Sequence, residues 1–113
     1  MDAGASARVA ELLGRARLAA QPVPDIAASD EPQTVLDGYI AQSTLHRYLC
    51  YRTGSALAGW KIGATTADMQ TYLGVDGPAY GRILSRNVHG NGAPLAVSDF
   101  CNPGIECEIA LRI

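Results

Sequence analysis

Two stretches in the first half of the chain place apolar residues at the three- and four-residue spacing of a helix. The first predicts a helix from Ser6 to Ala20, with Ser6 as its N-cap. The second predicts a helix from about Pro32 to Arg52, capped by Asp30, because proline is tolerated in a first helical turn. Its apolar side would consist of five residues: Val35, Leu36, Tyr39, Ile40 and Leu49. The proline-rich, acidic segment between the two helices is predicted to cross the surface.

Beyond Gly54 the helical spacing gives way to short apolar segments separated by glycine and proline. ALAGWKIG predicts a strand, and TTADMQTYLG predicts a short helix that ends at its final glycine. VDGPAYGRIL predicts a turn followed by a strand. The Asn-Gly pair in NVHGNGAPLAV predicts a hairpin turn.

The closing stretch, IECEIALRI, alternates apolar and polar residues and predicts a last strand. Together these elements predict an α+β fold in two parts. Residues 1–53 form an N-terminal helical region, and residues 54–113 form the start of a β-rich catalytic domain that is incomplete. The boundary is expected where helical spacing gives way to short apolar segments, near Arg52–Ser55.

Two glutamates in the closing stretch carry the first candidate chemistry. Residues two apart in a strand point to the same face, roughly 6–7 Å apart, so Glu106 and Glu108 would lie side by side. The apolar residues between and after them would face a core: Ile105, Cys107, Ile109 and Leu111. Carboxylates this close repel each other unless a cation lies between them, and Mg²⁺ would satisfy both. Alternation is also the ordinary pattern of a strand with one solvent-facing side, so spacing alone leaves both interpretations open.

Lys61 is the second candidate, because it lies inside an apolar strand between Gly59 and Gly63. A lysine in such a strand can simply extend its ammonium group outward into water. Alternatively, its amine lies near an anionic substrate, where it binds a carboxylate or assists proton transfer. The flanking glycines would let a ligand approach the backbone closely.

Composition and charge exclude several classes of function. A net charge of −2 without basic clusters gives no basis for binding nucleic acid or an anionic membrane. No apolar run approaches the roughly 18 residues of a membrane span, and the N-terminus lacks the pattern of a secretory signal. Cys50, Cys101 and Cys107 form no CxxC pair, which predicts free, buried thiols in a reducing compartment, the cytoplasm. His46 and His89 lack the neighbours of a triad or a metal pair, so neither is predicted to be catalytic.

Taken in order, the segments after residue 54 resemble those of a known family. They are similar to the 2-keto-4-pentenoate hydratase and 2-oxo-3-hexenedioate decarboxylase family, within the fumarylacetoacetate hydrolase superfamily. The matching residues are Gly59 to Gly63, Met69-Gln70, Leu73 to Val75, Pro78 with Gly81, and Glu106 to Ala110.

This resemblance implies a fold and an activity. N-terminal helices would precede the opening strands of a mixed β-roll of the fumarylacetoacetate hydrolase type. Glu106 and Glu108 would be ligands of Mg²⁺ or Mn²⁺, and Lys61 would contact the substrate, a small 2-oxo acid. The implied reaction is hydration of 2-hydroxypenta-2,4-dienoate to 4-hydroxy-2-oxopentanoate in aromatic-compound catabolism. Decarboxylation of 2-oxo-3-hexenedioate is the alternative, and the full-length protein is expected to be a homo-oligomer.

Two departures from the family pattern set a further expectation. Ala79 stands where relatives usually carry an acidic residue, and family members are longer, with a third acidic ligand beyond the Glu-x-Glu pair. The resemblance therefore implies that this chain is an N-terminal portion with an incomplete metal site. We expect the isolated 113-residue chain to be inactive and to bind Mg²⁺ poorly. A truncated, non-catalytic interaction module remains the competing hypothesis.

Overall fold

The computed structural model describes all 113 residues. Its regular elements are α1 (Ala3–Leu18), α2 (Val35–Thr53), β1 (Leu57–Gly63), α3 (Ala67–Leu73) and β2 (Ala79–Leu84). Two single-turn 3₁₀ helices follow, at Ser85–Asn87 and Val97–Asp99. The α+β class is confirmed, while the mixed β-roll and the division of the chain at residue 53 stay predictions. None of the helices is both long enough and apolar enough to cross a membrane.

The first two helices begin at other caps than the sequence analysis predicted. Helix α1 starts three residues early, because the Asp2 side chain accepts a hydrogen bond from Ala5 N at 2.8 Å. Helix α2 starts at a capping box, in which Thr34 accepts from Asp37 N and Asp37 accepts from Thr34 N. Such a box satisfies two free N–H groups reciprocally, which a lone aspartate further upstream does not do.

Asp30, the cap expected for α2, instead fixes the connection between the helices to α1. Arg8 donates from Nε and Nη2 to its two carboxylate oxygens, at 2.7 and 2.6 Å. This two-pronged contact holds the pKa of the buried Asp30 carboxyl below its usual value.

Helices α1 and α2 approach each other closely at small residues. The Ser6 hydroxyl donates to Thr44 Oγ1 at 2.7 Å, and Gly14 lies directly under the Tyr48 ring. The apolar side predicted for α2 is therefore wrong in part, since Val35 and Leu36 are 78% and 69% exposed. The buried positions of α2 are Asp37, Ala41, His46 and Leu49.

Strands β1 and β2 lie within the two stretches predicted as strands and form a two-stranded antiparallel sheet. Helix α2 docks onto the β2 edge through Tyr80, whose N–H donates to the Tyr39 hydroxyl at 3.3 Å. The Gln42 side-chain amide donates to the Tyr80 carbonyl at 3.0 Å, and the Tyr39 and Tyr80 rings stack with centroids 4.4 Å apart. These contacts join the helical region to the sheet.

The predicted last strand and the predicted hairpin are both wrong. Residues 105–113 form no strand, and Ile105 and Ile109 are 97% and 94% exposed rather than facing a core. A strand needs a hydrogen-bonding partner, and the sheet pairs only β1 with β2. A turn does form at Gly90–Ala93, with Gly92 at φ +75°, but no strand flanks it.

The expected burial of the cysteines is also wrong. Cys50 is half-buried, whereas Cys101 and Cys107 are exposed, because both lie in the C-terminal segment that has no strand partner. All three thiols are free, as the sequence analysis expected.

Candidate functional site

Strand β1 presents Lys61 on a face of the sheet that carries few side chains. Alternation places Gly59 and Gly63 on the same face of β1, and the residue opposite Lys61 on β2 is Gly81. A Cβ added at Gly63 or Gly81 would meet no atom within 4 Å, and one added at Gly59 would meet only Ile83 Cδ1, at 4.0 Å. We call this surface, formed by Gly59, Gly63 and Gly81 around Lys61, the glycine face.

Lys61 meets both glutamates of the C-terminal segment. Its ammonium group donates to Glu106 Oε2 at 3.1 Å and to Glu108 Oε1. The three residues singled out from the sequence are therefore neighbours, although 45 and 47 positions separate the glutamates from the lysine. All three side chains are substantially exposed, so the ion pairs contribute little to folding stability.

The carboxylates raise the pKa of Lys61 above its usual value, the hydrogen bond to Glu108 first and the one to Glu106 second. Lys61 is therefore a cation at neutral pH and a poor general base while it holds these two contacts. It suits the binding of an anion or the donation of a proton.

The two glutamates also suit a divalent metal ion in number and chemistry. Their oxygens converge on one cation, the Lys61 ammonium group, and carboxylate oxygens are the ligands that hard divalent ions prefer. Mg²⁺ commonly uses one or two carboxylates and completes its coordination with water and substrate. The chain holds no group of three or more ligating side chains, so the pair would be the whole protein contribution from residues 1–113. Metal binding stays a prediction.

Two further residues lie at the site in the structure, although the sequence did not predict them there. Gly81 is the cross-strand partner of Lys61, which only the sheet register reveals. Ala79 pairs with Gly63 and so lies on the same face as Lys61. Its methyl group leaves Lys61 as the only charged side chain that the two strands place there.

A second titratable group lies away from this face, inside the helical region. His46 of α2 is buried, and its Nδ1 has no hydrogen-bond partner. Burial lowers the pKa of His46, and the positive charges of Arg82 and Arg17 lower it further. The imidazole is therefore neutral near pH 7, as a packing residue would be.

A cavity of about 760 Å³ also lies away from this face, between the end of α1 and the segment that follows β2. Its lining includes Leu49, Leu84, Arg86 and Phe100 but none of Lys61, Glu106 and Glu108. The candidate site is thus an open surface, and we place it by its chemistry rather than by cavity size.

Comparison with known proteins identifies the family. No family model matches the chain. Over 110 residues, 95% of its length, the chain is 31% identical to the TodF product hydratase of Pseudomonas putida. Over 58 residues, 51% of its length, it is 38% identical to a 2-keto-4-pentenoate hydratase of Burkholderia vietnamiensis. The chain belongs to the 2-keto-4-pentenoate hydratase family. It spans 40% and 22% of the lengths of these two relatives.

One solved structure has a fold similar to that of this chain. The chain superposes on 4-oxalocrotonate decarboxylase from Pseudomonas putida G7, complexed with magnesium and adipate, with a TM-score of 0.66 and 24% identity. The match covers 76% of this chain and 32% of that one. At this identity the likeness supports the fold alone.

Proposed function

We propose that this chain is part of a divalent-metal-dependent lyase that acts on small 2-oxo acids. The proposed reaction is the hydration of 2-hydroxypenta-2,4-dienoate to 4-hydroxy-2-oxopentanoate in the catabolism of aromatic compounds. The observation that carries the proposal is the meeting of Lys61 with Glu106 and Glu108 beside the glycine face. The names of the related proteins, 2-keto-4-pentenoate hydratase and TodF product hydratase, support the reaction class.

Each residue has a role in this proposal. Glu106 and Glu108 would hold Mg²⁺ or Mn²⁺, and the structural neighbour, which is complexed with magnesium, supports such an ion. When bound, the ion would supply Lewis-acid polarisation of the substrate's oxygen atoms. Lys61 would bind the substrate carboxylate as a cation and donate a proton as charge develops on the substrate.

The glycine face would give the substrate access to Lys61. A planar conjugated acid can lie directly against a backbone that carries no side chains, close to the ammonium group. The proposal also includes the mixed β-roll, a cytoplasmic location and a homo-oligomeric whole protein.

The proposal is tested by replacing the carboxylates in the protein as its source cell makes it. We expect Glu106→Gln and Glu108→Gln each to lower metal-dependent consumption of the dienol by about a hundredfold or more, since even residues that only orient metal ligands are worth about 10–100-fold. The assay follows the dienol absorbance with and without a chelator. Glu11→Gln, on the exposed side of α1, is the matched control and should keep the wild-type rate. Wild-type rates in both site variants would refute the assignment of metal ligands.

Decarboxylation of 2-oxo-3-hexenedioate is the second candidate, because the solved structural neighbour is a decarboxylase. The two reactions differ in their products, so release of CO₂ from the dicarboxylic substrate would favour the decarboxylase. Water addition to the five-carbon dienol without CO₂ would favour the hydratase. Turnover of neither substrate, with or without metal, would favour a non-catalytic interaction module.

A further inference from the structure

We infer that Lys61 is an exchangeable counter-ion of the metal site. Its ammonium group holds Glu106 and Glu108 together, and a divalent cation would displace it on binding. The inference rests on the proposed function, since it takes the two glutamates as the metal ligands.

The first argument is that the lysine and a metal ion would compete for the same oxygens. One ammonium nitrogen contacts both carboxylates, which would otherwise repel each other. A divalent ion bound by the same two side chains needs the position between them, and two cations cannot share it. Lys61 therefore stabilises the pair without metal and opposes metal binding.

The second argument is that Lys61 is free to leave. Its side chain is 45% exposed, and Glu106 and Glu108 are the only acceptors of its ammonium group. The glycine face leaves space beside it, because no atom lies within 4 Å of a Cβ built at Gly63 or Gly81. A flexible four-carbon stem can then carry the ammonium group over this face.

Together these arguments couple two events at the site. Binding of the metal releases Lys61 from the carboxylates, and the released ammonium group becomes available to an anionic substrate on the glycine face. The metal therefore binds before the substrate, and the lysine limits the affinity of the two glutamates for the metal.

The test is the affinity for Mn²⁺ alone of the protein as its source cell makes it, measured from the paramagnetic resonance signal of the free ion. We expect Lys61→Met to bind Mn²⁺ about three- to tenfold more tightly than the wild type, because the two exposed ion pairs that compete with the metal are removed. Lys61→Arg retains the charge and should bind like the wild type. Circular dichroism of each variant checks that the helices are retained.

Each outcome separates this inference from the proposed function. If Glu108→Gln abolishes Mn²⁺ binding but Lys61→Met leaves it unchanged or weaker, the exchange is refuted and the metal ligands stand. If neither the wild type nor Lys61→Met binds Mn²⁺, both ideas fail. If Lys61→Met binds Mn²⁺ more tightly and the double variant Lys61→Met, Glu108→Gln loses this binding, both the exchange and the assignment of metal ligands are supported.

Discussion

The packing of α1 on α2 at Gly14 can be tested with a single methyl group. A Cβ at this position would overlap two atoms of the Tyr48 ring and come within 3.4 Å of Leu45 Cδ1. Because the ring is rigid, Gly14→Ala must displace it or separate the helices. Overpacking of this kind costs about 1–3 kcal/mol, while alanine gains about 1 kcal/mol over glycine in a helix. The net expectation is a loss of about 0–2 kcal/mol in the free energy of unfolding.

Gly38 offers the matched control, since it also lies within a helix but a Cβ there would meet no atom within 4 Å. Gly38→Ala should therefore raise the free energy of unfolding by about 1 kcal/mol, the propensity gain alone. Urea denaturation followed by far-UV circular dichroism measures both variants against the wild type. If Gly14→Ala gains as much stability as Gly38→Ala, the close approach of the helices at Tyr48 is refuted.

Two further predictions concern the dependence of stability on pH. The pKa of Asp30 is lowered by Arg8, so its contribution to stability is complete above the unfolded-state pKa near 3.8 and is lost as pH falls through the lower folded-state pKa. Asp30→Asn should remove this acid-sensitive part, and an unchanged acid-unfolding profile would contradict the contact with Arg8. The pKa of His46 is lowered by burial, so the unfolded state binds more protons and stability falls as pH drops below about 6.5. His46→Gln should flatten the stability profile between pH 7 and pH 5 in urea titrations, and a slope like that of the wild type would show that another group titrates.

The elements that the sequence predicted correctly are those set by local signals. These signals lie within a few residues of one another in the sequence. Examples are the apolar spacing of the helices and Gly74, which ends α3 in a left-handed conformation ahead of β2. Both caps were misplaced by four residues, because several candidate cap residues compete near each helix start. The apolar side of α2 was misjudged at its first turn, where Val35 and Leu36 are exposed although they follow the helical spacing.

The candidate site was only partly predictable, because its contacts join distant parts of the chain. The spacing of Glu106 and Glu108 left two interpretations open, a shared cation between the carboxylates or the solvent-facing side of a strand. That the cation is Lys61, from a strand 45 residues earlier, depends on tertiary structure. The strand predicted for residues 105–113 depends on a partner strand, and alternation within a segment carries no information on whether a partner exists.

The docking of α2 at Tyr80 determines which edge of the sheet can pair with another strand. Tyr80 turns its N–H and C=O groups away from β1, and Tyr39 and Gln42 already bond to both. At this position, side chains fill the outer edge of β2 where another strand would pair. By the alternation of an antiparallel ladder, Ile62 of β1, opposite Tyr80, turns its own backbone groups outward on the other edge. A further strand could therefore pair with the outer edge of β1 but not with that of β2 at this position. Such a strand would lie beside the strand that carries Lys61.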